Sequence, residues 1–395
     1  MRPVDASRPL TFGTRLAGLV ARGSADASPF WSDPPERGRK ILELGLCSAI
    51  FAWLVLDVLQ KGNDLAVDFH YAFWPAARAV LEGRSPFPTV VDFYHLPFVY
   101  PAPAALLFAP FGLLPRLVAD VLFTCLLASC LVLALRLLRV ADWRCYGIAF
   151  LWAPVFSALQ TANLTLLLAL GLALLWRLRD RTLAAGFVAA ILIALKIFLW
   201  PVVLWLAIRR GWRVAAWSIL MTAFVTLASW WAIGFAGFTK YPGLVRMINH
   251  VEAPRSYSLV ALGMRLGLGR GPSTALALAI AGAILAGALV LARREADGRR
   301  SFVLTIAATI LLSPVVWLHY FALLLVPVAI VRPRFGPIWL IPLVLWPCPV
   351  MVSGPTWWSL APLLAFGGAL YFALRASPAS QTLPSGVRPI PIVGA

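Results

Sequence analysis

The residues able to do chemistry fall into three groups. The first is acidic. Asp57, Asp64, Asp68, Glu82, Asp92 and Asp120 all lie in the N-terminal third, in or beside one mixed segment. Taken singly, each reads as a solvated loop carboxylate. The second is basic: Lys240, Arg246, His250, Arg255 and Arg265 gather between positions 235 and 270, with Glu252 among them. Arg and Lys are the usual donors to phosphate, so this group fits a lipid phosphate; it fits anchoring at a membrane surface equally well. The third comprises Gln160, Asn163, Thr165, Lys196 and His319, set within or between apolar runs. Polar groups in such places are costly and more often functional than surface ones. Lys196, in ILIALKIFLWP, also has the stem to snorkel to an interface. His319, in SPVVWLHY, also suits a hydrogen-bonded structural role.

The elements that must position these residues are apolar. Of 395 residues, 61% are hydrophobic and 13% charged, and the mean hydropathy is +0.85. A soluble domain is about a quarter charged. Long apolar runs recurring along the chain indicate an all-α polytopic membrane protein, with membrane lipids as its surroundings. The net charge of +18 would suggest nucleic acid in a soluble protein. Here Lys and Arg fall in short turns between apolar runs, which marks cytoplasmic loops and leaves no nucleic-acid partner. Five Cys form no CxxC pair and four His are scattered. That gives no disulfide framework, no metal-ligand pattern and no cofactor.

Orientation follows from the basic residues. Residues 1–36 read as a cytoplasmic tail, since the apolar stretch 16–21 is too short for a signal-peptide core. Arg37, Arg39 and Lys40 then place the start of the first run, 41–60, inside. An outer loop of about 61–116 follows, and 117–138 returns to Arg136, Arg139 and Arg144. Runs at 146–160 and 163–176 go out and back to Arg177, Arg179 and Arg181. The run 183–208 makes a short hairpin with Lys196 near its turn, and 214–233 leads to a second outer loop, 234–271. Runs at 272–291, 302–312, 317–331, 338–352 and 358–374 complete the domain 37–375, before an inner tail 376–395. The expectation is about twelve spans with both termini cytoplasmic. Within the first outer loop, 101–115 is apolar but too short to span comfortably. It is expected to lie in the interface or re-enter. Residues 71–81 read as an amphipathic interfacial helix, with Trp74 and Arg78 at the membrane surface and Gly83 as its stop. No repeat or inverted pair of broken helices is visible, which weakens a transporter reading.

The segment DFHYAFWPAARAVLEGRSPF, followed by YPAPAALLFAPFGLLP, resembles glycosyltransferase family 87. These are polytopic enzymes of the GT-C fold and include mannosyltransferases. The matching features are Asp68 before an aromatic-rich helix, Gly83-Arg84-Ser85-Pro86-Phe87, and Tyr100-Pro101-Ala102-Pro103. Later come Gln160-Thr161-Ala162-Asn163, which keeps the family's Asn but not its Gly-Gln, and Leu195-Lys196 with Pro201 following. Ser256, Ser258 and Arg265 match loosely. Ser313-Pro314-Val315-Val316-Trp317-Leu318-His319-Tyr320 has Tyr in place of the family's second His. The resemblance runs from Asp68 to Tyr320.

The resemblance implies a polyprenyl-phosphate-sugar donor, mannose first and a pentose second, and a glycolipid or glycan acceptor. On that resemblance the site would face outward from the cell membrane. Asp68 would be the general base, within hydrogen-bond reach of the acceptor hydroxyl, in a single displacement that needs no general acid. Lys196, His319, Arg265 and Arg255 would stabilise the departing phosphate. Tyr100, Asn163 and Trp317 would contact substrate; for the two aromatics, core packing fits as well. Two other readings use the same loops. A transporter or flippase of lipid-linked sugars would not need Asp68 as a base, and a polymerase or ligase would take a lipid-diphosphate oligosaccharide.

Overall fold

Where this chain stops being helical follows from its Pro, Gly and polar residues. A computed structural model describes residues 66–87, 97–348 and 356–375, together with Gly45. The expected first span, both tails, Asp57, Asp64 and Asp92 lie outside these residues.

A π-helical turn, Phe69–Phe73, opens into α1, Trp74–Leu81. After Gly83, in the left-handed region at φ 69, come α2, Ala102–Phe108, and a 3-10 turn, Ala109–Leu113. Pro115 caps α3, Arg116–Leu137. Then follow α4, Arg144–Phe150, α5, Ala153–Gln160, and α6, Thr165–Leu178. Helix α7, Thr182–Leu195, ends at Lys196, and α8, Pro201–Arg210, starts with the proline that suits a first helical turn. Gly211, at φ 91, turns the chain into α9, Trp212–Ala232. The segment expected as the second outer loop carries α10, Tyr241–Glu252, and α11, Leu259–Arg265. Next are α12, Arg270–Arg294, and α13, Arg299–Leu312. Past Ser313-Pro314, a 3-10 segment Leu318–Leu324 runs into α14, Leu325–Val331. A 3-10 segment, Pro337–Leu345, and α15, Trp357–Arg375, come last.

Among the described residues, α3, α9 and α12 are long and apolar enough to cross a membrane. Counting the bent pair α5–α6, which turns through 119°, makes up to four. A hydrocarbon core about 30 Å thick needs about 20 helical residues, which the remaining apolar helices do not reach individually. The long helices keep bare apolar flanks. Leu117, Ile219, Phe224 and Trp231 are exposed, Trp231 at 76%, as expected for surface that meets lipid tails. The protein is an all-helical membrane protein over these residues.

The arginine-rich turns gather at one end. Arg210 pairs with Asp180 and donates to the Arg179 carbonyl at 3.0 Å. Arg209 binds the Ala292, Glu295 and Ala296 carbonyls, tying α8 to the α12–α13 turn. The Phe335 N–H donates to Asp142 Oδ2 at 3.0 Å. From this end α7 runs out to Lys196 and α8 returns, as the expected hairpin requires.

The expected interfacial helices are present but differently used. Trp74 Nε1 donates to the Leu114 carbonyl at 3.2 Å and Arg78 Nη1 to the Gly112 carbonyl at 3.3 Å. These two side chains fasten α1 to the 109–114 turn. Unpaired carbonyls at the end of that turn are satisfied in this way. The 102–113 segment packs beneath α1, and Phe69, Phe73, Phe108, Phe111 and Phe123 form one ring cluster. The two loops expected to lie outside also meet. Ser85 Oγ donates to the Ala236 carbonyl at 3.3 Å, Tyr241 Oη to the Val99 carbonyl at 3.2 Å, and Phe87 stacks on Trp230.

Candidate active site

Two breaks in helix, at 161–164 and 196–200, and the 3-10 segment that follows the break at 313–317 come together near the turn that carries Asp68. Irregular backbone at such depth is tolerated where protein buries it or a cavity is lined. The Asp68 N–H donates to the Thr161 carbonyl at 2.9 Å, and the Phe69 N–H reaches the same oxygen at 3.4 Å. Two residues with a Cβ take left-handed backbone here: Ala66 at φ 58 and Ala162 at φ 48. Each such conformation costs on the order of 1 kcal/mol and persists only where its surroundings impose it. Strain therefore flanks the Asp68–Asn163 contact on both of its chain segments.

Asn163 is buried and makes the central connections. Its Nδ2 donates to Asp68 Oδ2 at 2.5 Å and to Tyr100 Oη at 2.9 Å. Thr165 Oγ1 donates to Asn163 Oδ1 at 3.1 Å. Those partners fix which way the carboxamide faces, since a carboxylate accepts and an amide nitrogen donates. Lys196 approaches Tyr100 as well, its Nζ donating to Oη at 3.0 Å. The ammonium lies 4.1 Å from the Tyr320 ring centroid, 4.7 Å from Tyr100 and 5.8 Å from Phe198. Tyr320 and Phe198 stack at 5.4 Å. Aromatic faces attract a cation, so Lys196 is held by three rings and one hydroxyl.

Asp68 is half-buried. Burial pushes its carboxyl up from the usual carboxylate range; the Asn163 hydrogen bond and the Lys196 charge oppose that shift without cancelling it. A carboxylate so placed can accept a proton from a hydroxyl. An ammonium beside it, partly shielded from water, can meet a developing anion.

Of the expected site residues, Asp68, Tyr100, Asn163 and Lys196 converge. His319 adjoins them: it is buried, its ring lies 5.0 Å from that of Tyr320, and its Nε2 has no hydrogen-bond partner among the described residues. Trp317 opens the same segment. Its ring packs half-buried against the core, and its carbonyl accepts from the Tyr320 N–H at 3.0 Å. Arg255 and Arg265 are not brought to this cluster. Arg255 is exposed beside Glu252, and Arg265 donates to the Pro254 carbonyl at 3.3 Å and neighbours Tyr257. Ser256 and Ser258 serve local structure: Ser258 Oγ caps α11 by accepting from the Ala261 N–H at 3.1 Å. The 234–271 segment reaches the site region through backbone, where the Tyr257 N–H donates to the Val316 carbonyl at 2.7 Å.

Sequence reasoning missed Tyr320 and Phe198 as site residues. The available signal was position: one adjoins His319 and the other follows Lys196 by two, each beside a lone polar residue in an apolar run.

No curated protein and no solved structure matches the chain. The model of glycosyltransferase family 87 does match, over residues 98–318. That stretch is more than half of the chain and holds Tyr100, Asn163, Lys196 and Trp317; Asp68 precedes it and His319 follows it directly. With its order of motifs, its apolar helices and this match together, the chain belongs to glycosyltransferase family 87, a membrane glycosyltransferase family.

Proposed function

We propose that the protein transfers mannose from a polyprenyl-phosphate donor to a glycolipid or glycan acceptor at the outer face of the cell membrane. The observation that carries this reading is the meeting of Asp68, Asn163, Tyr100 and Lys196 at the end of the bundle away from the arginine-rich turns. By the positive-inside rule the arginine-rich end is cytoplasmic, which leaves the cluster outside. The shorter apolar helices then complete a GT-C-like bundle of about twelve spans.

In the proposed reaction an acceptor hydroxyl attacks the anomeric carbon while its proton passes to Asp68. The bond from that carbon to the phosphate oxygen breaks, and its electrons leave with the polyprenyl phosphate. Lys196, with His319 adjoining, faces the charge that develops there. A phosphate leaves as an anion without being protonated, so one carboxylate suffices.

The test is transfer of label from polyprenyl-phosphate-[14C]mannose in membranes carrying the full chain and a native lipid extract, beside Asp68→Asn at equal expression. Label should move to a new lipid or glycan with the wild type and stay on the donor with the variant. Transfer undiminished by Asp68→Asn would remove the base assignment. Movement of donor across the bilayer without transfer would favour a flippase.

A further inference from the structure

A second set of ionisable side chains meets inside the fold. Asp120, expected near the outer end of its span as a solvated carboxylate, is 2% exposed in α3. Its Oδ2 lies 2.6 Å from His70 Nδ1, and its Oδ1 has no hydrogen-bond partner among the described residues. The other ring nitrogen, His70 Nε2, is 3.2 Å from Arg116 Nη1. A guanidinium can only donate, so Nε2 presents its lone pair and Nδ1 carries the proton. The imidazole is then a neutral link between a guanidinium and a buried carboxylate, donating to one and accepting from the other. A carboxylate buried in an apolar helix is strongly held to whatever partner it has.

The place of this link gives it a role. His70 lies two residues after Asp68, in the π-helical turn Phe69–Phe73. The same turn carries Phe69, whose ring stacks at 4.6 Å on Phe123, three residues beyond Asp120 and so on the same face of α3. One face of α3 thus grips the turn twice, once through rings and once through a hydrogen bond. Asn163 holds Asp68 itself, from another segment of the chain.

We propose that His70 and Asp120 are positioning residues for Asp68, fixing the turn so that its carboxylate stays against Asn163 and beside Lys196. This rests on the reading of Asp68 as the general base. Neither residue touches substrate in this scheme. Their loss should slow turnover and leave donor binding nearly unchanged.

The experiment measures kcat and donor KM with the purified full chain and polyprenyl-phosphate-mannose, for four proteins. They are wild type, Asp68→Asn, His70→Asn and the double variant His70→Phe/Asp120→Leu. The double variant removes the imidazole and the buried charge together, so no unpaired carboxylate is left to unfold the protein; turnover is measured on the fraction that elutes as wild type does. His70→Asn keeps a donor where Nδ1 was. The expected result is a kcat lower by on the order of ten- to a hundred-fold in the double variant, the scale of a misplaced catalytic group. Its KM should stay within about two-fold of wild type, and His70→Asn should keep at least about half of kcat. Wild-type kcat in the double variant, a loss confined to KM, or a His70→Asn protein as slow as the double variant would each overturn the proposal. Asp68→Asn at the wild-type rate would instead overturn the base assignment, and this role of His70 with it; Asp68→Asn inactive with an unaffected double variant overturns only the positioning role.

Discussion

Asn163→Ala tests the site most sharply, because Asn163 touches three of its members. The bond to Asp68 Oδ2, at 2.5 Å, involves an ionisable group, and bonds of that kind contribute about 1.5–3 kcal/mol. The Tyr100 and Thr165 bonds, at 2.9 and 3.1 Å, are between neutral groups. In membrane proteins polar contacts of that kind average about 0.6 kcal/mol each. The expected loss of unfolding free energy is therefore about 3–4 kcal/mol. A cycle with Asp68→Ala isolates the carboxylate bond and should return a coupling of about 1.5–3 kcal/mol. The direction of a pH effect follows too. Asn163 holds the Asp68 carboxyl down against the upward push of burial. Without Asn163 that push is less opposed, the carboxyl titrates at higher pH, and a base that must be ionised fails sooner as pH falls. Unfolding in detergent gives the coupling, and residual transfer against pH gives the direction. A coupling below about 0.5 kcal/mol, or an acid limb that moves to lower pH, refutes the account of how Asp68 is held.

Three further outcomes follow from the same geometry. The folded-state value of Asp68 is raised, so its ionised form costs stability once pH rises above that value, and the cost is absent below the ordinary carboxylate range. Asp68→Asn, always neutral, should abolish transfer yet unfold at pH 7 no more readily than wild type; a clear loss of thermal stability would contradict the sign. Lys196→Met keeps an apolar stem among Tyr100, Phe198 and Tyr320 but loses the charge, and turnover should drop by on the order of a hundred-fold. Gly237 sits at φ 86, and an added Cβ would lie 2.8 Å from Ser85 Oγ and 2.9 Å from the Phe87 ring. Gly237→Ala should cost about 1–2 kcal/mol from the backbone alone and loosen the contact between the 82–100 and 234–241 segments, readable as faster proteolysis there.

Local pattern carried much of the architecture. Apolar runs marked the helices because burial in lipid or protein demands continuous apolar surface. Ser313-Pro314 marked one break, and the helices also end before Pro201 and at Gly211, because Pro lacks a donor and Gly accepts left-handed backbone. The arginine clusters at 177–181, 209–213 and 293–300 marked turns, and those turns meet at one end of the fold. The motif order also placed Asp68, Tyr100, Asn163 and Lys196 among the candidates before any of their contacts was known.

What the sequence could not settle was who meets whom. Asp68 and Asn163 are 95 residues apart and Tyr100 and Lys196 are 96 apart. No periodicity within one helix reports a contact made by the breaks of several. Arg255 and Arg265 have the right charge but lie beside Glu252 and the Pro254 carbonyl rather than in the cluster, so charge alone over-selected. Asp120 read as a solvated acid because its neighbours in sequence are at a helix start; only the packing of α3 against the 69–73 turn buries it against His70. Trp74 and Arg78 fit a membrane surface by type, and only the fold shows that they also bind the nearby carbonyls of Leu114 and Gly112. The sequence by itself determined a helical membrane protein, the breaks in its helices and the family to which it belongs. The tertiary structure alone decided which polar groups share a site, because side-chain convergence depends on how helices cross, and crossing is set by surfaces far apart in the chain.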